Sequence, residues 1–350
     1  MATVHQTIAP RYDSALDGTA LKTLASARGL LFGSAVRTPE LAGDAPYSAL
    51  LEAQVSQVTA EGAMKMRDLR PTISTFDYTV ADELVTWAQA RSIEIYGHAH
   101  IWHASMPTWE SEINAGNAES VIEAHIDGVQ THFAGDCRVW DVVNEAIETG
   151  DGRPDGLRVS PWLTWLGPDY IDIAFLQADA TRTATGDTGL KLAYNDYDLA
   201  YGYYYHAARR EKLLDLVSGM QTRGVPIDVI GVQAHLRGDQ PPDFRDFRDF
   251  LDDIDALGLE VAITEFDVRR TPAQDPARYD QIVADVYREF FAVALEASNL
   301  TSVSCWGITD RYTWLTQFFV PPGNPPIRPL PYDDQLAPKA ARDALAQALS

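Results

Sequence analysis

Val139-Trp140-Asp141-Val142-Val143-Asn144-Glu145-Ala146 and Val261-Ala262-Ile263-Thr264-Glu265-Phe266-Asp267 each hold a short apolar, β-branched run that ends on a glutamate, Glu145 or Glu265. Runs of this length and composition read as strands. Glu145 and Glu265 are therefore expected at strand ends, each delivered into a loop. A single glutamate in that position is ordinarily a solvated loop residue or the anion at a helix start. Asn144 and Asp267 change the balance, because simple packing asks for neither polar group there. In a parallel barrel the strand ends form the catalytic rim. Two carboxyl groups on that rim can divide a reaction: one protonates a leaving oxygen while the other attacks or activates water, as in cleavage of a glycosidic bond.

Working outward, the chain holds eight strand-like runs, at about 30–36, 54–59, 93–101, 137–144, 190–195, 227–235, 259–265 and 302–308. Most are followed by a segment of helical period. Residues 277–297 place Ile282, Val286, Phe290 and Val293 on one face. Residues 243–257 place Phe244, Phe247, Leu251 and Ile254 on one face, opposite Arg245, Arg248, Asp249 and Asp252 at ion-pair spacing. A last helix is expected near 338–349, and the Pro-rich stretch Pro321-Pro322-Gly323-Asn324-Pro325-Pro326 reads as a long final loop at the rim. Alternating βα units of this number predict an α/β fold, a single (β/α)8 TIM barrel over residues 1–350. No linker divides it, and no other repeat is seen.

Of the 350 residues 46% are apolar, enough for a large core and too many for a disordered chain. The net charge of −22, with five lysines, argues against nucleic acid and against anionic membrane surfaces. It favours a neutral substrate, and an acidic, highly soluble surface is the plainer reading of the same charge. No segment approaches the roughly 18 apolar residues of a membrane helix. The start, Met1 to Gln6, lacks a basic region followed by an apolar stretch, so no signal peptide is read there. Cys137 and Cys305 begin different strand-like runs and are expected as buried free thiols.

Six segments together resemble glycoside hydrolase family 10, the endo-1,4-β-xylanases. They are Trp140 to Ala146, Leu166-Gly167-Pro168-Asp169-Tyr170-Ile171, Leu192-Ala193-Tyr194-Asn195-Asp196-Tyr197, Gly231-Val232-Gln233-Ala234-His235-Leu236, Ile263 to Asp267, and Trp306-Gly307-Ile308-Thr309-Asp310 with Trp314. The resemblance runs from about Gly29 to Leu349. It implies a retaining β-glycosidase acting on β-1,4-xylan or xylo-oligosaccharides, without a cofactor, and a secreted protein. Glu265 would be the nucleophile, held ionised by His235 and Asp267. Glu145 would be the acid and then the base, with a raised pKa. Asn144 would bond the sugar 2-hydroxyl, and Gln233 would fix that sugar and the nucleophile. Glu61, Lys65, His98 and Trp102 map onto sugar contacts; Trp306 and Trp314 would be stacking walls, and Tyr197 would stack a sugar on the leaving-group side. Tyr201 to Tyr205 read as ordinary packing near a helix start.

Two segments depart from the family pattern. Glu61-Gly62-Ala63-Met64-Lys65-Met66 stands where the family has Glu-Asn-x-Met-Lys-Trp, and Ser105 stands where it commonly has Gln. Both polar losses fall on the glycone side, which suggests a different β-glycoside under the same mechanism. His98-Ala99-His100 also resembles the His-x-His pair of metal-dependent amidohydrolases. Those enzymes carry the pair on the first strand and need a mid-barrel metal-bridging Lys or its equivalent. Here the pair is on the third strand without such a Lys, so no metal site is assigned. Period two puts His98, His100 and Trp102 on one face, and His100 is expected as a buried, satisfied histidine. A catalytically silent polysaccharide-binding barrel is a further alternative, against which both carboxylates and their supports count.

Overall fold

Among the described residues ten strands supply the frame: β1 (Leu31–Val36), β2 (Gln57–Ala60), β3 (Glu94–Gly97), β4 (Ile101–Trp102), β5 (Cys137–Asn144), β6 (Lys191–Asp196), β7 (Val229–Val232), β8 (His235–Arg237), β9 (Glu260–Arg269) and β10 (Leu300–Cys305). The computed structural model describes residues 18–271, 275–318 and 327–350. The strands run in the order β10-β1-β2-β3-β5-β6-β7-β9, and β10 pairs back onto β9. Their pairings are parallel, so eight strands close into a barrel with helices between them, a (β/α)8 TIM barrel. β4 and β8 are short continuations after β3 and β7, paired to β5 and β9.

Parallel strands covered on both sides must be apolar on both faces, which is why they read as continuous runs. Inside, Tyr96, Val139, Ala193, Val229 and Ala262 form one buried cluster. Outside, the strands pack against helices such as Ala118–His132, Arg245–Ala256 and Pro276–Ala294. In Arg245–Ala256 the buried face is Phe247, Phe250, Leu251 and Ile254. Arg248 pairs with Asp252 at 3.0 Å, whereas Arg245 turns to Asp243. In Pro276–Ala294, Val286 and Phe290 are buried as expected, but the stripe is completed by Tyr279, Val283 and Tyr287 rather than by Ile282 and Val293. Cys137 and Cys305 are buried free thiols.

Several boundaries differ from the sequence reading. Residue 54 ends the helix Ala45–Gln54, and β2 begins only at Gln57. The 93–101 and 227–235 runs each break in two where the chain leaves strand geometry, at His98–His100 and at Gln233–Ala234. β9 runs on to Arg269 because β8 pairs with its extension, His235 opposite Asp267. Glu265 thus lies within a strand rather than at its last residue. The stretch 321–326 lies outside the described residues. Among the described residues no helix is long and apolar enough to cross a membrane.

Candidate active site

The carboxyl ends of the strands bring Lys65, His98, Trp102, Glu265, Trp306 and Trp314, among others, to the lining of one cleft of about 500 Å³; Glu145 is not in that lining but is bonded to its Trp102 wall. Glu145 follows β5 with φ +58, a left-handed conformation rare for a residue with a side chain. Its backbone is pinned there: its N–H donates to the Asn195 carbonyl at 2.9 Å, and Arg158 Nε donates to its carbonyl at 2.8 Å. Such strain, about 1–3 kcal/mol, persists where surrounding bonds over-determine it. The Glu145 carboxyl accepts from Trp102 Nε1 at 2.9 Å and from Gln233 Nε2 at 3.0 Å. Burial pushes its pKa up, and the charges of Asp196 and Glu265 push the same way against those two donors.

Glu265 is 5% exposed. Oε1 accepts from Asn195 Nδ2 at 2.8 Å, and Oε2 lies 3.3 Å from His235 Nε2. Burial raises its pKa, but the His235 hydrogen bond and the electrostatic influence of His98, His235 and Lys65 outweigh it, so the carboxyl sits below its ordinary range. On the other side of the imidazole, Nδ1 lies 3.1 Å from Asp267 Oδ1. Burial alone would lower the His235 pKa. Asp267 and Glu265 overcome it and raise it to about 10, so the ring is an imidazolium at neutral pH. Asp267 is anchored in turn by Trp314 Nε1 at 2.8 Å.

One chain of amides links the two carboxyls. Gln233 Nε2 reaches both Glu145 and, at 3.3 Å, Asn144 Oδ1; Asn195 Nδ2 reaches Asn144 Oδ1 at 3.0 Å and Glu265. The Gln233 side chain therefore holds Glu145, not Glu265 as expected. Asn195 is a hub that went unassigned in the sequence, although it is a polar residue inside a quoted strand-end motif. Gly231 leaves room for it: a Cβ there would stand 2.3 Å from Asn195 Oδ1. Asn144 Nδ2 has no protein partner, and Asn144 lines the cleft.

His98 Nδ1 is 2.7 Å from Asp141 Oδ2, and Tyr96 donates to Asp141 at 2.8 Å. Trp306 stands edge-on to His98 at 5.3 Å. The Lys65 ammonium lies 4.5 Å from the Trp102 ring centre and 5.5 Å from that of Trp306. Burial lowers the Lys65 pKa, opposed by Glu265, Glu61 and Glu145. Glu61 shares the cleft wall with Lys65, and burial raises its carboxyl pKa.

Other expectations are corrected. His100 does not share a face with His98. It stacks on Trp140 at 4.3 Å, against His125 of the neighbouring helix, because the chain is not extended between His98 and His100. Both its nitrogens are buried without a hydrogen-bond partner, and burial lowers its pKa to about 3. Met66, which stands where the family has Trp, is 3% exposed and packs in the core. Ser105 is 4% exposed with its hydroxyl unpartnered, and unlike Asn144 it does not line the cleft. The Tyr197 hydroxyl donates to Glu148 at 2.9 Å and accepts from Arg158 at 2.6 Å, and its ring lies 4.1 Å from the Arg209 guanidinium. It braces the Glu145 loop. Tyr201 is buried against Tyr203, whereas Tyr204 is 90% exposed.

Comparison with known proteins finds one family. The model of Glycosyl hydrolase family 10 matches residues 20–348. An endo-1,4-beta-xylanase of Agaricus bisporus is 34% identical over 336 residues, covering 94% of each chain. Endo-1,4-beta-xylanase B of Paenibacillus barcinonensis is 32% identical over 335 residues, covering 89% of this chain and 93% of that one. The structure of xylanase 10B from Thermotoga petrophila RKU-1 in complex with xylobiose superposes with a TM-score of 0.84 at 28% identity, covering 94% of this chain and 97% of that one.

Proposed function

The chain belongs to glycosyl hydrolase family 10, and from that membership we propose that this glycoside hydrolase cleaves internal β-1,4 bonds of xylan with retention of configuration. The reading treats residues 1–350 as one catalytic barrel. The observation that carries it is a pair of carboxyls tied by a shared amide chain, Glu265 lining the cleft and Glu145 bonded to its Trp102 wall, with their pKa values pushed in opposite directions. That split is what acid and nucleophile require.

Glu265, ionised, attacks the anomeric carbon, while the Glu145 hydroxyl gives its proton to the departing sugar oxygen. The glycosidic bond breaks and an ester forms on Glu265. Esterification removes the Glu265 charge, one of the causes that hold the Glu145 pKa up, so Glu145 becomes more acidic. It then acts as base: it takes a proton from water, whose oxygen displaces Glu265 from the sugar. Retention asks for carboxyls about 5–5.5 Å apart. The unpartnered Asn144 Nδ2 donates to the 2-hydroxyl of the reacting sugar. Glu61, Lys65 and His98 bond glycone hydroxyls, with Trp102, Trp306 and Trp314 as walls and Tyr197 bracing the leaving-group side. These steps use no cofactor.

Product analysis on xylan, linear xylo-oligosaccharides, cellulose and aryl β-glycosides tests this. Release of short xylo-oligosaccharides from xylan is the expected result. Cleavage of another β-glycoside with xylan untouched would favour a different glycone, a reading that Gly62 in the glycone segment supports.

A further inference from the structure

The loop that follows β5 closes on its own first residue. Arg158 N–H donates to the Ala146 carbonyl at 2.7 Å, Glu148 N–H donates to the Gly156 carbonyl at 2.8 Å, and Ile147 bridges to Leu157. The Arg158 side chain then turns back, and its Nε donates to the Glu145 carbonyl at 2.8 Å. The residue that ends the loop thus grips the residue that starts it.

The other end of the same guanidinium points to the leaving-group side. Arg158 Nη2 donates to the Tyr197 hydroxyl at 2.6 Å and lies 3.4 Å from Glu148 Oε2. A second arginine, Arg209 of the helix Tyr204–Thr222, reaches Glu148 at 3.5 Å and packs over the Tyr197 ring. Its remaining bonds go to the Tyr197 carbonyl and to Asp196. Glu148 therefore keeps a cation if Arg158 is lost, whereas the Glu145 carbonyl loses its donor.

That donor matters because Glu145 is strained. With φ at +58 the residue gains by relaxing toward negative φ. Rotation about its N–Cα bond carries the carboxyl and the carbonyl together, so a bond on the carbonyl also fixes the carboxyl. Trp102 and Gln233 hold the carboxyl tip; Arg158 holds the backbone from which it hangs. The Arg158 side chain is 15% exposed and outside the cleft lining, a place from which it acts through Glu145.

We propose that Arg158 is a positioning residue for proton donation: it keeps Glu145 in its left-handed conformation and ties it to Tyr197 on the leaving-group side, so that the carboxyl meets the departing oxygen. The proposal rests on the reading of Glu145 as the acid.

Aryl β-xylobiosides of graded leaving-group acidity, dinitrophenyl, nitrophenyl and phenyl, test it through kcat/KM, which reports the first step. Each places one aromatic ring on the leaving-group side, but they differ in their need for a proton. Arg158→Met keeps the aliphatic stem and removes the donors. It should lose about 10- to 100-fold on the phenyl glycoside, the scale of a misplaced catalytic group, and less than about threefold on the dinitrophenyl one. Tyr197→Phe removes only the hydroxyl that Arg158 bonds and should show the same trend, weaker. A purely structural role would lower all three rates alike, by the fraction of enzyme lost. Equal loss across leaving groups in Arg158→Met, or wild-type turnover of the phenyl glycoside, would overturn the proposal. Where Arg158→Met folds poorly, Tyr197→Phe decides: a loss that grows as the leaving group becomes less acidic upholds the proposal, and a flat response overturns it. Glu145→Ala separates this from the acid assignment. A steep dependence there with a flat one in Arg158→Met refutes the positioning role alone, and a flat dependence in both refutes the acid assignment and the positioning role with it.

Discussion

His235 Nε2 lies 3.3 Å from Glu265 Oε2, and on the other side of the ring Nδ1 lies 3.1 Å from Asp267 Oδ1. The imidazolium is thus held between Glu265 and Asp267: the two raise the His235 pKa, and His235 in turn lowers that of Glu265. The same relay predicts how activity and stability respond to pH.

The kcat/KM profile should be bell-shaped. Glu265 must be ionised, and its lowered pKa sets an acid limb below the ordinary carboxylate range. Glu145 must be protonated, and its raised pKa sets an alkaline limb above that range. His235→Asn removes a cation from Glu265, so the acid limb should move up while the alkaline limb stays. Stability carries a separate signature. The His235 pKa rises from an ordinary 6.5 to about 10 on folding. Its contribution is full below pH 6.5 and is lost as pH rises toward 10. Tm of the wild type should fall across that window, and Tm of His235→Asn should fall less. An acid limb unchanged by the substitution would contradict the relay.

Glu145→Ala should separate substrates by leaving group. Xylo-oligosaccharides need proton donation and should lose orders of magnitude in kcat/KM. Aryl glycosides with acidic leaving groups should lose little in the first step and stall at the second. Burst kinetics on an activated aryl xyloside read this directly. Equal loss across leaving groups would show that Glu145 is not the acid.

Asn195→Ala removes the amide that Glu265 shares with Asn144. Leaving a buried acceptor unmet costs about 1–3 kcal/mol, or roughly 10- to 100-fold in kcat/KM if the cost falls on the transition state. Thr264 also loses its acceptor, Asn195 Oδ1 at 2.7 Å, so Tm should drop too. Wild-type kinetics in the variant would show that the hub is dispensable.

The barrel and the two glutamates were legible because they follow from repeating physics. Strands covered on both faces must be apolar throughout, and a polar residue at the end of such a run needs a reason. What was not legible depends on breaks in that regularity. His98 and His100 should share a face by period two, but the chain is not extended between them, and His100 turns to the helix layer. The 227–235 run hid the change of direction at Ala234, whose φ is +57. Met66 and Ser105 matched glycone positions by alignment of motifs, yet both are buried, which only three-dimensional packing decides. Asn195 and Asp141 lay in quoted motifs, but a polar residue inside a strand run does not announce which carboxyl or histidine it will meet.

The burial of Ser105 revises what the glycone departures mean. Ser105→Gln inserts volume into a packed site and should cost stability, about 1–3 kcal/mol, without improving catalysis. Gly62→Asn alone offers a new donor beside Glu61, where one hydrogen bond is worth about 0.5–1.5 kcal/mol. It should raise kcat/KM on linear xylo-oligosaccharides up to about tenfold and leave short aryl xylosides unaffected. Kinetics on unbranched xylotetraose check this, and no gain would mean that this glycone sugar is bound by other residues.

The central claim is that Glu265 carries the sugar between the two half-reactions. A 2-deoxy-2-fluoro-β-xylobioside with an activated leaving group slows both steps and lets the ester accumulate. Mass spectrometry of the digested, inactivated enzyme should find one glycosyl unit on the peptide that contains Glu265, and none in Glu265→Ala. Labelling at a different carboxylate, or turnover without any covalent adduct and with an α-configured first product, would contradict the account.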